Sequence, residues 1–409
     1  MKKVLYISYD GMTDPLGQSQ VIPYLVGLAN RGYKITILSA EKPNRYINGR
    51  SYINHLLSKH GIAWEPVMYT KRPPILSTLV DIFKLRSRVK KLMKLQHFQI
   101  VHCRSYIAPL AGLMVKRKQR AKFVFDMRGF WADERVDGGL WNLANPIYRA
   151  VYNYFKKKEK QYLEVADHVV SLTQAAKNEM QGWRKIKLNP DKISVIPCCA
   201  DFDFFNIPSS DKRKQMRVKL GYLDMELVFC YLGSLGTWYM VQEMFDFFIV
   251  ISEIYPEARF LIISGDSFNK PKLVCDLDTN KVKLLSAKRD EVVDLLAAVD
   301  IGLSFIKPVY SKISSSPTKQ GEMLAMGIPM IVNSGVGDVD AIVEITQSGI
   351  VLPENTKEAY QIAAMQIVTL VRKNKQEIRD KAIKILDLKV GVEVYNTIYG
   401  NMTGEKEKE

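Results

Sequence analysis

The first forty residues set a pattern that few folds accept. KKVLYISY is a short apolar run rich in β-branched residues, and after the loop GMTDPLGQ comes SQVIPYLVGLANRGY, with Val21, Leu25, Leu28 and Ala29 at helical spacing. A second apolar run, KITILSA, follows. Strand, loop, helix, strand is a βαβ unit, the seed of a parallel sheet with helices on its faces. Further runs at 98–105 (FQIVHCRS), 122–129 (KFVFDMRG) and 167–173 (DHVVSLT) each follow a helical pattern, so residues 1–190 are expected to form one Rossmann-like domain. A second is expected over 191–388, opening with KISVIPCC at 192–199 and continuing with strands at 226–233, 258–265, 282–288, 300–306 and 328–333. Helices such as 240–254 and 289–299 would separate them. A last helix, about 389–402, has Val390, Val394, Ile398 and Tyr399 as a partial apolar face and would pack back across the first domain. The predicted fold class is α/β with two Rossmann-like domains, each a parallel sheet with helices on both faces, and 409 residues suit that count.

Composition narrows the function classes. At 47% hydrophobic and 25% charged the chain is ordinary for a globular protein, and no apolar run is long enough for a membrane-spanning helix. The apolar stretch in MKKVLYISYD is too short for a secretory leader and reads as a first strand. Cys103, Cys198, Cys199, Cys230 and Cys275 show no metal-ligand spacing and are expected to be buried, reduced thiols in a cytoplasm. The formal charge of +16 is unevenly spread. Residues 1–195 hold 34 Lys and Arg against 14 Asp and Glu, whereas 196–409 hold 25 against 29. The first half is built to face something anionic.

Three stretches carry candidate chemistry. In SSSPTKQGEMLAMGIPMIVNSG (314–335), Pro317 presets the first turn of a helix, whose free N–H groups suit a phosphate. Ser316, Thr318 and Lys319 would meet it. Glu322 lies three residues beyond Lys319 and on the same helix face, an arrangement that a plain surface ion pair also produces. In YLGSLGTWY (231–239), Gly233 and Ser234 begin a loop after a strand where the backbone can approach a ligand, or simply turn tightly. Asp126 and Arg128 stand at the carboxyl end of a strand, where open sheets bind ligands; a structural ion pair is the competing reading. His102 ends a neighbouring strand and reads as a satisfied histidine near the core.

Together with YDGMTDPLGQSQ, VIPCCADFDFF (195–205) and SAKRDEVVDLLAAVDIGL (286–303), these stretches resemble the retaining, nucleotide-sugar-dependent glycosyltransferases of the GT-B fold, family 4-like (group 1), of the bacterial cell-surface polysaccharide type. The resemblance spans nearly the whole chain. It implies two facing domains, with Lys319 at the diphosphate of a sugar nucleotide and Glu322 on its ribose. The family's second Glu, eight positions earlier, is here Ser314, which offers one hydrogen bond and no charge. The Arg and Lys that relatives place after the 231–239 strand are also missing, so Lys319, with Lys288 or Arg289 behind it, would neutralise the diphosphate. The resemblance brings the Gly17 loop to the donor phosphates, and sets Asp126 and Arg128 beside the reacting carbon. Same-face attack, with the leaving diphosphate helping to deprotonate the acceptor, is the mechanism it implies.

No cofactor is expected beyond the nucleoside-diphosphate-sugar substrate, and no metal: Asp201/Asp203 and Asp338/Asp340 have the spacing of metal-binding pairs, but Asp201 falls in a stretch resembling the interdomain crossing. The basic clusters at 84–94, 116–122, 156–160 and 183–187 point to an anionic membrane surface and a glycan or lipid-linked saccharide acceptor, hence to a peripheral protein on the inner membrane face. Residues 79–95, where Leu79, Ile82, Phe83, Val89, Leu92 and Met93 alternate with cations, read equally as an interfacial helix or as a core-facing helix with a solvated back. No nucleic-acid-binding signature occurs. A nucleotide-sugar 2-epimerase of the same fold and a non-catalytic nucleotide-sugar-binding protein are the alternatives.

Overall fold

The computed structural model describes residues 1–73, 75–184, 186–266 and 279–404. It divides into two compact units, one of Met1–Pro197 with the segment from Leu388 onward, the other Cys198–Asp387.

In the first unit seven strands form one parallel sheet: β1 (Lys3–Ser8), β2 (Lys34–Glu41), β3 (Ala63–Met68), β4 (Ile100–Arg104), β5 (Lys122–Asp126), β6 (His168–Ser171) and β7 (Ile193–Val195), in the order β3-β2-β1-β4-β5-β6-β7. The central strands are covered on both faces, which is why they read as unbroken apolar runs. Val4, Leu5, Ile7, Ile100, Val101 and Phe123 are fully buried. Strand β3, AWEPVM, went unpredicted because it is an edge strand, where Glu65 and Pro66 are tolerated.

Strand β7 corrects the domain boundary. It was expected to open the second domain, but it pairs with β6 (Val169 opposite Ile193), and the Ile196 N–H donates to the Ser171 carbonyl at 2.8 Å. The chain leaves the first unit only after Pro197, instead of at 190.

The Leu388–Thr403 helix completes this first unit. Its buried seam is Gly391, Val392, Tyr395, Ile398 and Tyr399. Val390 is 37% exposed, so the apolar face expected from Val390 and Val394 is turned toward Val392 and Tyr395. Val392 fills the space over Gly27, where an added Cβ would sit 2.7 Å from its methyl carbons.

The second unit holds β8 (Val228–Leu232), β9 (Arg259–Ile263), β10 (Val282–Leu285), β11 (Ile301–Ser304), β12 (Met330–Asn333) and β13 (Gly349–Leu352), again all parallel, in the order β10-β9-β8-β11-β12-β13. One core layer gathers Phe229, Phe245, Phe247, Phe248, Phe260 and Phe305. The other side packs Val228, Leu261, Met323, Leu324 and Met330. Buried Arg217 holds the Asp300 carboxylate at 2.5 Å and donates to four backbone carbonyls, fastening the Ser210–Leu220 helix to the start of the sheet. Cys103, Cys198, Cys199 and Cys230 are buried and in no disulfide among the described residues; Cys275 lies outside them.

Candidate functional site

In the second sheet the strand order reverses between β8 and β11, so the connections leaving these neighbours part and open a crevice at their carboxyl ends. Both loops are fixed from below. Met240 N–H donates to the Phe305 carbonyl and Lys307 N–H to the Trp238 carbonyl, each at 2.9 Å. The Asn333 side chain, from the end of β12, pairs with both backbone groups of Ile306 at 2.7 and 2.8 Å. A carboxamide carries a donor and an acceptor side by side, so one side chain serves both backbone groups.

The β11 loop leads into the Thr318–Ala325 helix, with Pro317 in extended conformation at its N-cap. Burial runs from Gln320 to Ala325, and Glu322 goes in with it at 2% exposure. Lys319 stays 39% exposed and reaches back, its Nζ 2.8 Å from the Glu322 Oε2. The helix stops at Gly327, whose φ is +66° and where a Cβ would press within 2.5 Å of the Lys375 carbonyl. Only glycine fits there. A buried carboxylate held by one solvent-facing ammonium, at a helix start in a sheet crevice, suits a ligand with hydroxyl and phosphate groups.

The other residues singled out in the sequence divide. Gly233 and Ser234 begin the β8 loop, and the Ser234 carbonyl accepts from the Tyr231 hydroxyl at 2.5 Å. Thr318 is the first residue of the helix. Ser314 and Ser316 are in place but spend hydroxyls on the protein: Ser314 donates to the Ser311 carbonyl at 2.7 Å, and Ser316 accepts the Cys198 N–H at 3.0 Å. Lys288 stands further along the sheet edge. It is exposed and follows edge strand β10, two strands and so roughly 10 Å of sheet away from β8. Its N–H instead caps the Arg289–Leu296 helix through Glu291, and Arg289 lies over the rings of Phe204 and Phe205. The cation that meets the β8 loop is Lys312, buried, with its Nζ 3.8 Å from the Trp238 ring centroid. A lone Lys in YSKISSS gave no signal of that contact.

In the first unit the reversal falls between β1 and β4, and next to it β5 ends at Asp126. Asp126 is 1% exposed and ringed by partners: His102 Nε2 at 3.5 Å, Arg104 NH1 at 3.7 Å, Arg128 Nε at 4.0 Å and the Tyr395 hydroxyl at 3.3 Å. The Tyr399 hydroxyl meets His102 Nδ1 at 2.7 Å, and Tyr6 packs on the imidazole at 4.6 Å. Burial alone would raise the Asp126 carboxyl, but Arg128, the His102 hydrogen bond and Arg104 hold it below the usual range. Burial pushes His102 down, so the imidazole is neutral. Arg128 adopts a left-handed backbone, φ +57°, followed by Gly129 at +116°, which turns the chain sharply after the strand. His102, expected to be a satisfied core histidine, is buried within this charged cluster, and Arg104, Tyr395 and Tyr399 were not anticipated. Arg104 does end its strand as Arg128 follows β5, a parallel visible in HCRS and DMRG.

The Gly17 loop is shaped by a carboxylate missed in the sequence. Fully buried Glu41, at the end of β2, accepts from the N–H groups of Met12 (2.7 Å) and Thr13 (3.1 Å) and from the Thr13 and Ser39 hydroxyls. Gly17 lies against this loop so closely that a Cβ would meet the Gly11 carbonyl at 2.1 Å. Of the two acidic pairs, Asp201 caps its own turn through the N–H groups of Asp203 and Phe204, and Asp340 accepts from the Ser334 hydroxyl.

Residues 20–204 match the family described as Glycosyltransferase Family 4. No curated protein matches the chain in sequence. Among solved structures, sucrose-phosphate synthase from Thermosynechococcus elongatus is similar with a TM-score of 0.73 at 13% identity, over 99% of this chain and 100% of that one. A glycosyltransferase from Rickettsia africae gives 0.69 at 17% identity, over 99% of each chain. Anabaena HepE in complex with UDP and glucose gives 0.65 at 14% identity, over 98% and 100%. At these identities the likeness shows the fold. The chain has the GT-B fold, two Rossmann-like domains, and the part that is similar to Glycosyltransferase Family 4 is residues 20–204.

Proposed function

We propose that the protein transfers a sugar from a nucleoside-diphosphate donor to a saccharide acceptor, glycan or lipid-linked, with retention of anomeric configuration and without a metal. The observation that carries this reading is the buried Glu322, held by half-exposed Lys319 at a helix start in the second unit's crevice. Glu322 accepts from the ribose hydroxyls; Lys319, Thr318 and the helix N-terminus meet the diphosphate, with Lys312 the further cation on the crevice wall. The resemblance to a protein crystallised with UDP and glucose supports a uridine donor as the first to try.

In the first unit Asp126 acts as a positioning group. Its burial and four partners suit it to hold Arg128 and His102, not to attack a sugar carbon. With Asp126 buried and half-exposed Asp10 tied to Arg104 at 3.2 Å, the departing diphosphate takes the acceptor's proton on the same face. The basic balance of this unit supports an acceptor at an anionic membrane surface on the cytoplasmic side; no helix among the described residues is long and apolar enough to cross a membrane.

Incubation with labelled nucleotide sugars tests the reaction. Release of nucleoside diphosphate with label appearing on an acceptor is expected. Conversion of the donor to a new nucleotide sugar without that release would make the protein an epimerase, and binding with no turnover of any donor or acceptor would make it a binding protein.

A further inference from the structure

The solvent face of the Leu76–Leu95 helix changes character along its length. Leu76, Leu79, Val80 and Phe83, three or four residues apart and so on one side, are 60%, 57%, 47% and 74% exposed. Arg86 and Lys90 continue the same side. The core seam is the opposite one, Ser77, Asp81, Leu85, Val89 and Leu92. The outer apolar residues are therefore surplus to the core, a grouping that marks a contact surface.

Beside the basic half lies a groove of about 420 Å³ between this helix and the helices Pro109–Gln119 and Pro146–Val165. Arg86, Lys90, Arg117, Lys118 and Lys158 line it, and no carboxylate does. Cations next to them on the same three helices are paired: Lys84 with Asp81, Arg88 with Glu65, Lys116 with Asp167, Lys156 with Asp133 and Glu159. The groove cations have no such partner among the described residues; Lys158 donates to Gln161 and lies over the Tyr154 ring. Tyr162, also lining the groove, is fully buried, and its hydroxyl makes no hydrogen bond among the described residues. A buried hydroxyl is costly to leave unsatisfied. Like charges gathered around an unused donor fit an anionic group with several acceptor oxygens.

We propose that the groove receives the phosphate headgroup of an anionic phospholipid while Leu76, Leu79, Val80 and Phe83 enter the membrane interface beside it. The inference rests on the membrane-facing reading above and gives it a place. The apolar stripe decides for a lipid over a free phosphate, because a soluble anion has no use for it, and over nucleic acid, which a continuous basic face would serve better.

Sedimentation of the full chain with phosphatidylcholine vesicles, alone or mixed with phosphatidylglycerol, tests it. Binding should need the anionic lipid. Arg86→Gln/Lys90→Gln/Arg117→Gln should lower it by about fivefold per cation, roughly a hundredfold together. The exposed-surface control Lys34→Gln/Lys59→Gln/Lys214→Gln should cost far less. Leu79→Ser/Phe83→Ser should weaken vesicle binding and leave affinity for glycerol phosphate unchanged, and Tyr162→Phe should lower both; melting curves confirm that each variant folds. If wild type ignores anionic vesicles, both the membrane reading and the groove fall. Vesicle binding equally reduced by groove and control variants leaves general membrane attraction and overturns the groove alone. Glycerol phosphate binding without vesicle binding, or tighter retention of mixed-sequence RNA lost in the same variants, overturns the lipid.

Discussion

The two units repeat one architecture and treat its ligand end in opposite ways. In the second, the crevice between β8 and β11 keeps its cation half exposed above a buried carboxylate, and its loops are braced by backbone pairs and one asparagine. In the first, the corresponding end is packed shut around Asp126, whose partners include two arginines, a neutral histidine and a tyrosine from the far end of the chain. One fold thus supports both a half-exposed ion pair at the mouth of a crevice and a buried cluster whose partners stand 3.3 to 4.0 Å from one carboxylate. Removing a carboxylate should act on binding in the former and on stability in the latter.

The largest effect is expected from Asp126→Ala. It leaves Arg104 and Arg128 beside a vacated, buried position and should cost about 3–5 kcal/mol. Calorimetric melting would show it, with nucleotide affinity hardly altered; a variant as stable as wild type would erase the contrast. Glu322→Ala should do the reverse, lowering nucleoside-diphosphate affinity by about 10- to 100-fold, the worth of a charged hydrogen bond or two, with a smaller loss of stability. Titration calorimetry with UDP decides it, and unchanged affinity would move the site elsewhere. Gly17→Ala tests whether the first unit's loop tolerates any opening. Its Cβ would collide with the Gly11 carbonyl, and a cost of about 1–3 kcal/mol in denaturant unfolding is expected. Ser316→Ala strips the acceptor from the Cys198 N–H and should cost about 1 kcal/mol, with nucleotide affinity unchanged because the hydroxyl is already committed.

The most gradual effect is a slope with pH. His168 is pushed down to about 4, first by burial and then by Lys177 and Lys192, and His102 is lowered by burial as well. Both bind a proton more readily unfolded, so their contribution is complete above pH ~6.5 and is lost as pH falls toward the folded values. Melting temperature should decline over that window, and His168→Asn should flatten the part between pH 6.5 and 4. A flat profile in wild type would contradict the assignment.

How much of this was legible in the sequence follows from where each signal is stored. Strands buried on both faces, β1, β4, β5, β8 and β11, announce themselves as apolar runs, and the start of the Thr318–Ala325 helix through its proline. Edge strands β3 and β13, with one free side, lack that pressure and passed unread. Lys319 and Glu322 share a helix face, so their meeting follows from spacing alone. Lys312 meets Trp238 across two loops, and His102 meets Tyr399 across 297 residues, contacts that no local spacing encodes.

That last contact has a temporal side. During synthesis, residues 1–197 emerge first, but the helix that supplies Val392, Tyr395 and Tyr399 is made only after the entire second unit. At ribosomal speeds the wait is on the order of 10–40 s. Throughout it Asp126 and His102 lack their tyrosine partners and Gly27 lacks its cover. Of the two units, the one begun earlier is thus finished later, and its final packing step reports that translation of everything between has succeeded.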